Sequence, residues 1–530
     1  MPNTEKIGKV LLWAGIVLCL LQVWLPQYYP NCDGPCHVSN AAIMSDMWAS
    51  GESIYHRFYT FNYASDPNWL TELLLVALQY AFSNVVAEKV LLTIYVLMMM
   101  TGAIRLLRQM GNNAPLWPLA FLMLIFHNAV PQGFYNFSFS IAFYMLLMAA
   151  WLSYLERRRW QGAVVYFVYL LLTYFSHPVS FVFGCVSSVA LGMTYVLSGQ
   201  MPARTGEWRK ALLVLVLSIT PFVLMLQRFA DNMGGLQEIK IKFAPGRLGD
   251  LVALKYLINY SHKEEDVLIG TGIVFAILLL LAVVYRCRIK VIHKYDGFLL
   301  SLLFAFAVFL LLPDSMLHGG YFALRAGIFI LLLLCICCAY IPLPVQMQRG
   351  SAVLLYAAFV VMFLIRMPIV YKASDAIADH MSAAGHIKPG AVVLPLNYDT
   401  WGRDREGKVI CSRNNIFCHM AQYLTAIPHT LVLDNYEANT GYFPLNWRPE
   451  LDPFVHLARW PGLQAIPPAA AIEEYRQKTG IVVNNVLMMN FDPVYRQHET
   501  AKALVAEVER DYHIVYTSPT GRTILYERNR

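Results

Sequence analysis

The run Asn31-Cys32-Asp33-Gly34-Pro35-Cys36-His37 places a carboxylate four residues before an imidazole, just beyond the first long apolar stretch, Ile7 to Leu25. Such a pair suits a general base with a polar neighbour, or two ligands of a metal. Asp-Gly-Pro is also good turn chemistry, so the same letters have a purely structural reading. The loop goes on to supply Asp46, Glu52, His56, Arg57, Asp66, Asn68 and Glu72. His127 and Asn128 end a later apolar run and Asn136 begins the next. His177-Pro178 separates two more, and Asp314, His318 and Arg325 surround the start of another. Ionisable groups at membrane depth are costly and usually face a cavity or a partner. Their recurrence at one level predicts a site at a membrane–water boundary. A histidine at a helix end is as often a plain interfacial residue, and Arg325 can snorkel to water as well as meet a lipid phosphate.

The elements that must carry these groups follow from composition. The 530 residues are 57% hydrophobic and only 14% charged, against about 25% charged in an ordinary soluble domain. So much apolar surface cannot be hidden in one water-soluble core, and lipid must solvate part of it. The net charge of +7 does not point to nucleic acid, because the basic residues sit in short clusters between apolar runs and form no single basic face. Crossing the hydrocarbon core takes about 20 apolar residues. The expected spans are 7–25, 86–104, 115–131, 134–155, 160–176, 179–198, 210–227, 267–285, 297–312, 321–341 and 351–370. The first has no convincing small-residue cleavage site and reads as a retained helix.

The stretch 69–83 is short, and charge decides its place. If it lies on the surface, Lys6, Lys9, Arg105, Arg108, Arg157-Arg158-Arg159, Arg204, Arg209, Lys210, Arg286, Arg288, Lys290, Lys294 and Arg349 all fall on the cytoplasmic side. The opposite loops 131–134, 177–178 and 313–320 hold no Lys or Arg. The expected fold is therefore a polytopic α-helical membrane protein of about eleven spans. Its N-terminus is inside, its large outer loops are 26–85 and 228–266, and residues 371–530 form an extracytoplasmic α/β domain after a membrane part, 1–370. Strand-like runs at 391–396, 430–434, 484–490 and 513–517 alternate with helical patterns at 471–479 and 499–510, and the chain ends in a hairpin. Short loops lean toward a bacterial inner membrane.

Three other features stand out. Arg247, with Lys240, Lys242 and Lys255, lies in the loop 228–266, whose part 248–260 is amphipathic enough to rest on a membrane and recruit an anionic headgroup; a solvated charged loop explains it equally. Asp434 to Phe443, with Trp447, forms an aromatic polar loop of the kind that binds sugars, although packing at a domain edge explains it too. Cys32, Cys36, Cys411 and Cys418 lie outside the spans, where disulfides can persist, and no four-ligand zinc spacing is evident.

An inside N-terminus, one helix, then a long outer loop opening on an acidic residue resembles the type-C glycosyltransferase superfamily, which includes protein O-mannosyltransferases and the aminoarabinose transferases of lipid A. Asp33 matches the position of that family's first-loop carboxylate, and Asp66-Pro67-Asn68 before 69–83 resembles its proline-containing motif and juxtamembrane helix. The loop has no clean acidic pair, so Asp46, Glu52, Asp66 and Glu72 stand as candidates for a second carboxylate. The resemblance implies transfer of a sugar from a polyprenyl-phosphate donor to a lipid, glycan or protein acceptor at the outer face. Asp33, with His37 and Asp66, would do the acid–base work. His127, Asn128, His177, Arg247, His318 and Arg325 would bind substrate and phosphate, and a divalent metal ion is compatible with the scheme although no metal ligands are assigned. A transporter or flippase for a lipid-linked glycan, or a non-enzymatic envelope assembly protein, is the rival reading.

Overall fold

The computed structural model describes residues 2–63, 67–112, 114–201, 206–232, 241–315, 319–457 and 471–529. In chain order the helices are α1 (Pro2–Trp24), α2 (Gly34–Ala49), α3 (Leu70–Gln79), α4 (Asn84–Gln109), α5 (Tyr135–Arg157), α6 (Trp160–Ser176), α7 (Pro178–Leu197), α8 (Glu207–Asn232), α9 (Arg247–Val252), α10 (Glu265–Arg288), α11 (Asp296–Leu311), α12 (Phe322–Tyr340), α13 (Val345–Met381), α14 (Pro453–His456), α15 (Ile472–Thr479) and α16 (Lys502–Asp511). Among the described residues, α1, α4, α5, α7, α10, α12 and α13 are long and apolar enough to cross a membrane, and α6 and α11 are shorter apolar helices. Ten of the expected spans fall on helices. The protein is a polytopic helical membrane protein with a sheet-containing C-terminal region.

The chain packs as two compact units. The first comprises Met1–Leu21, Thr93–Val130 and Tyr135–Ile365. Helix α5 lies against α6 and α7, and α11 against α7 and α12. Small and hydroxyl residues allow the close approach expected where lipid gives no hydrophobic drive between helices. Ser140 Oγ and Ser180 Oγ are 2.6 Å apart, and Tyr144 bonds Ser187 at 2.9 Å. A Cβ on Gly184 would come within 2.8 Å of Leu147.

The stretch 115–131 departs from expectation. It is a 3-10 helix, Trp117–Leu124, followed by turns, rather than an α-helix. Trp117 Nε1 bonds Cys335 O at 3.0 Å. The segment still returns the chain. Gln109, ending α4, bonds Glu156 near the end of α5 at 2.6 Å.

The second unit comprises Gln22–Leu92, Pro131–Phe134 and Arg366–Arg530. The first large loop thus packs with the C-terminal residues. The strands are β1 (Tyr59–Phe61), β2 (Val392–Asn397), β3 (Leu431–Val432), β4 (Leu445–Trp447), β5 (Asn485–Met489), β6 (Tyr512–Thr517) and β7 (Thr523–Arg528). Five form one sheet in the order β3-β2-β5-β7-β6, with β2 parallel to β3 and β5, and β7 antiparallel to β5 and β6. The central strand β5 is buried throughout, which is why it reads as an unbroken apolar run. β1 pairs antiparallel with β4, Tyr59 opposite Trp447 with ring centroids 4.3 Å apart, tying the first loop to the aromatic loop after Asp434. Helix α3 has ten residues, about 15 Å, too short to cross a bilayer. It packs on α2 through Thr71, Glu72, Leu75 and Val76.

Candidate active site

Helix α2 starts one residue after Asp33 and carries Pro35 in its first turn, where a missing N–H costs nothing. Asp33 is the N-cap residue without using its side chain to cap, so the carboxylate is available in a position the helix dipole favours. The segment before it is held from both sides. Cys32 N bonds Pro131 O at 3.0 Å and Asp33 N bonds Gln132 O at 3.1 Å. Asn31 accepts from Gly34 N at 2.5 Å and donates to Glu88 at 3.0 Å, and Tyr423 donates to the other oxygen of Glu88 at 2.6 Å.

Gly133 closes this packing. Its φ is +82°, and a Cβ there would lie 2.5 Å from Gly34 N and 2.6 Å from Asp33 N. Gly133→Ala is expected to cost roughly 2–5 kcal/mol, from left-handed strain and from backbone that cannot give way. A lowered unfolding midpoint of the detergent-solubilised protein would register it, and an unchanged midpoint would contradict this packing.

One face of α2 then continues the site at helical spacing, Asp33, His37 and Asn40. His37 Nδ1 lies 2.7 Å from Glu72 Oε1 and 3.4 Å from Glu437 Oε1, and Nε2 lies 3.0 Å from Gly133 O. With an acceptor at each nitrogen, the ring is held as imidazolium. Asn40 donates to Glu437 Oε2 at 2.6 Å and accepts from Asn435 at 2.7 Å. Beside Asp33 stands His419, with Nε2 at 4.0 Å from its carboxylate and Nδ1 at 3.6 Å from Asp434. The His419 ring stacks on Tyr436 at 4.5 Å.

Asp33, His37, Glu72 and Glu437 are buried and His419 and Asp434 half-buried, close enough for charge on one to shift another. Burial works against a charged His37, but Glu437 and Glu72 outweigh it and push the ring up to about 10. Burial, reinforced by Glu72 and Asp33, lifts Glu437 to about 8. Burial opposes charge on His419 too, and Asp434 carries it up to about 9. Each holds its proton more tightly folded than unfolded. The stabilisation from His37 is therefore complete below its unfolded value of about 6.5 and lost as pH rises through about 10. The parts from His419 and Glu437 disappear over the same direction of pH. The unfolding midpoint is expected to fall steadily as pH rises from about 6.5 to about 10, and less steeply in His37→Gln. Equal slopes in the two proteins would contradict this network.

The other sequence-predicted residues are placed as follows. Asp66 and His318 lie outside the described residues. His127, Asn128, His177, Arg247 and Arg325 belong to the first unit. His127 Nε2 is 3.3 Å from Tyr95 OH. Asn128 fixes Tyr256 and Ile258 by their carbonyls. His177 caps α7, accepting from Val179 N. Arg247 donates to Phe309 O and Leu312 O, both at 2.7 Å, at the end of α11. Arg325 bonds Gly320 O, and its guanidinium lies 5.6 Å from the Phe137 ring centroid. Of the candidates for a second carboxylate, Glu72 alone among the described residues meets His37; Asp46 binds Ser53 at 2.6 Å and Glu52 is exposed. Asp434 and Glu437 were singled out only as part of the aromatic polar loop, and His419 and Glu88 were not foreseen. The signal for the first two was the pair of acids in Asp434-Asn435-Tyr436-Glu437, whose spacing fits the polar face of α2.

Two groups have donor atoms within 4.8 Å of one another and could hold a metal ion: His37, Glu72 and Glu437, and Cys32, Cys418 and His419.

No protein-family model and no curated protein sequence matches the chain. Solved structures do. ArnT from Cupriavidus metallidurans in the apo state aligns with TM-score 0.53 and 11% identity over 99% of this chain and 98% of its own. The same protein bound to undecaprenyl phosphate aligns with TM-score 0.55 and 10% identity over 98% and 97%. The alignment runs over both compact units and leaves almost nothing of either chain unmatched, so what the first-loop resemblance implied for the architecture holds: this chain has the fold of the type-C membrane glycosyltransferases.

Proposed function

We propose that the protein transfers a sugar from a polyprenyl-phosphate donor to an acceptor at the outer face of a membrane, with Asp33 as the base. The observation that carries this reading is the carboxylate of Asp33, buried at the start of α2 beside His419 and free of capping duty, in a fold shared with a protein that binds undecaprenyl phosphate. Asp33 takes the proton of the acceptor as it attacks the anomeric carbon, and the polyprenyl phosphate departs with the bonding electrons. The departing phosphate needs a cation, and Arg325 or His318 is proposed for that part.

His37 has a different part. With both nitrogens committed, it fixes the start of α2 against Glu72 and Gly133 and keeps a positive charge among the carboxyl groups of Glu437, Glu72 and Asp33. The donor set of His37, Glu72 and Glu437 also fits a hard divalent ion, which would take the place of the proton on His37 and bring two positive charges in place of one. The inner bacterial membrane, with the C-terminal region in the periplasm, is the proposed setting.

A flippase would use the same lipid-linked substrate but leave its sugar–phosphate bond intact. Reconstituted vesicles carrying a labelled polyprenyl-phosphate sugar separate the two. Cleavage with label passing to an acceptor supports the transferase, whereas movement of intact donor between leaflets would replace it with the transporter.

A further inference from the structure

The second donor group is of a different chemical kind. Cys32 and Cys418 are buried and hydrogen-bond each other, and no disulfide joins cysteines among the described residues. Their sulfurs and an imidazole nitrogen of His419 lie within 4.8 Å of one another. Asp434 adds a carboxylate oxygen 3.6 Å from His419 Nδ1, and that buried nitrogen makes no hydrogen bond among the described residues. A disulfide would account for the two sulfurs alone. It leaves unexplained why an imidazole, itself backed by a carboxylate, converges on the same point.

We propose that Cys32, Cys418 and His419, with Asp434 as the fourth donor, bind a thiophilic divalent transition metal such as zinc. Two thiolates, an imidazole and a carboxylate make a four-coordinate set of the softness such ions select. Thiolates around a tetrahedral zinc lie roughly 3.8 Å apart, from Zn–S bonds of about 2.3 Å, so small side-chain rotations close the shell. Binding forms two metal–sulfur bonds and releases both thiol protons to solvent. The two ends it would join are the residue before Asp33 and the residues that open the 3-10 helix Met420–Ala426. The ion would fix the backbone on which Asp33 sits, without itself being required to meet the sugar. This site is separate from His37, Glu72 and Glu437, whose donors suit a hard cation.

The test uses the full-length protein in detergent, stripped with a chelator and titrated with cobalt(II) alone. One equivalent is expected to give a thiolate-to-cobalt charge-transfer band and the ligand-field absorption of a tetrahedral site, both erased by zinc. Cys32→Ser and Cys418→Ser should each lose most of the charge-transfer band, and Cys287→Ser, exposed at the end of α10, should keep all of it. If the two serine variants fail to fold, the wild type decides: zinc should protect two cysteines from alkylation, mapped to Cys32 and Cys418, and the chelator should expose them. Absence of the band in wild type, its survival in both serine variants, protection mapping elsewhere, or recovery of a Cys32–Cys418 disulfide from never-reduced protein would each overturn the site. None of these readouts depends on glycosyl transfer.

Discussion

Glu72→Ala is expected to destabilise the protein by about 3–5 kcal/mol, the cost of stripping one partner from a buried ion pair. Glu72 is fully buried and the His37 side chain is 4% exposed. Removing the carboxylate leaves an imidazolium facing a second buried acid, Glu437, which is itself held partly protonated by burial. The remaining cluster must lose His37's proton or admit water, and either response loosens the start of α2. The same truncation at Glu52, which is exposed, should be nearly neutral. Glu72→Gln separates charge from packing. It keeps the volume and one acceptor oxygen, so it should unfold later than Glu72→Ala, while the alkaline loss of stability moves to lower pH because His37 has lost a charge that raised its affinity for the proton. Thermal or denaturant unfolding across pH reads both effects. Unfolding of Glu72→Ala at the wild-type midpoint would mean that the His37 contact adds nothing to the fold.

Asp33→Asn is expected to remove about 10²- to 10⁴-fold of the transfer rate, the usual contribution of a positioned general base, with little change in stability. The amide has the same shape and still suits a helix N-cap. The Asp33 side chain makes no capping hydrogen bond, and the backbone contacts to Gln132 and Cys36 do not involve the carboxylate. What the substitution removes is the ability to accept a proton. Donor binding should therefore survive, so the loss should fall on turnover rather than on affinity. A variant with wild-type turnover would reduce Asp33 to the turn residue that Asp-Gly-Pro also allows.

These expectations rest on features that the sequence displayed unequally. Apolar length is a local property, so most spans were legible, and so was the shortness of the helix in 69–83. The stretch 115–131 was apolar enough to read as a helix, but hydropathy does not distinguish an α-helix from a 3-10 helix followed by turns. The sheet was legible because its strands are short apolar runs set between helical patterns. Asp33 and His37 could be singled out as a pair because they are four residues apart on one helix. Their partners could not, because Glu437 reaches His37 across 400 residues of sequence and His419 reaches Asp33 across 386. The choice of Glu72 over Asp46 and Glu52 depended on α3 lying against α2, a tertiary fact with no local signature. The polar residues near apolar ends were all visible, yet Asn128, His177 and Arg247 bind backbone carbonyls or amides, work that composition does not distinguish from ligand binding.

The most direct measurement of the central claim is the release of free polyprenyl phosphate when purified wild-type protein is given polyprenyl-phosphate sugars and a mixture of lipid, glycan and protein acceptors. The proposed chemistry predicts release coupled one-to-one to sugar appearing on an acceptor, and its loss in Asp33→Asn protein that still binds donor. Release that continues unchanged in Asp33→Asn, or donors left intact across a broad panel by a folded wild type, would contradict it.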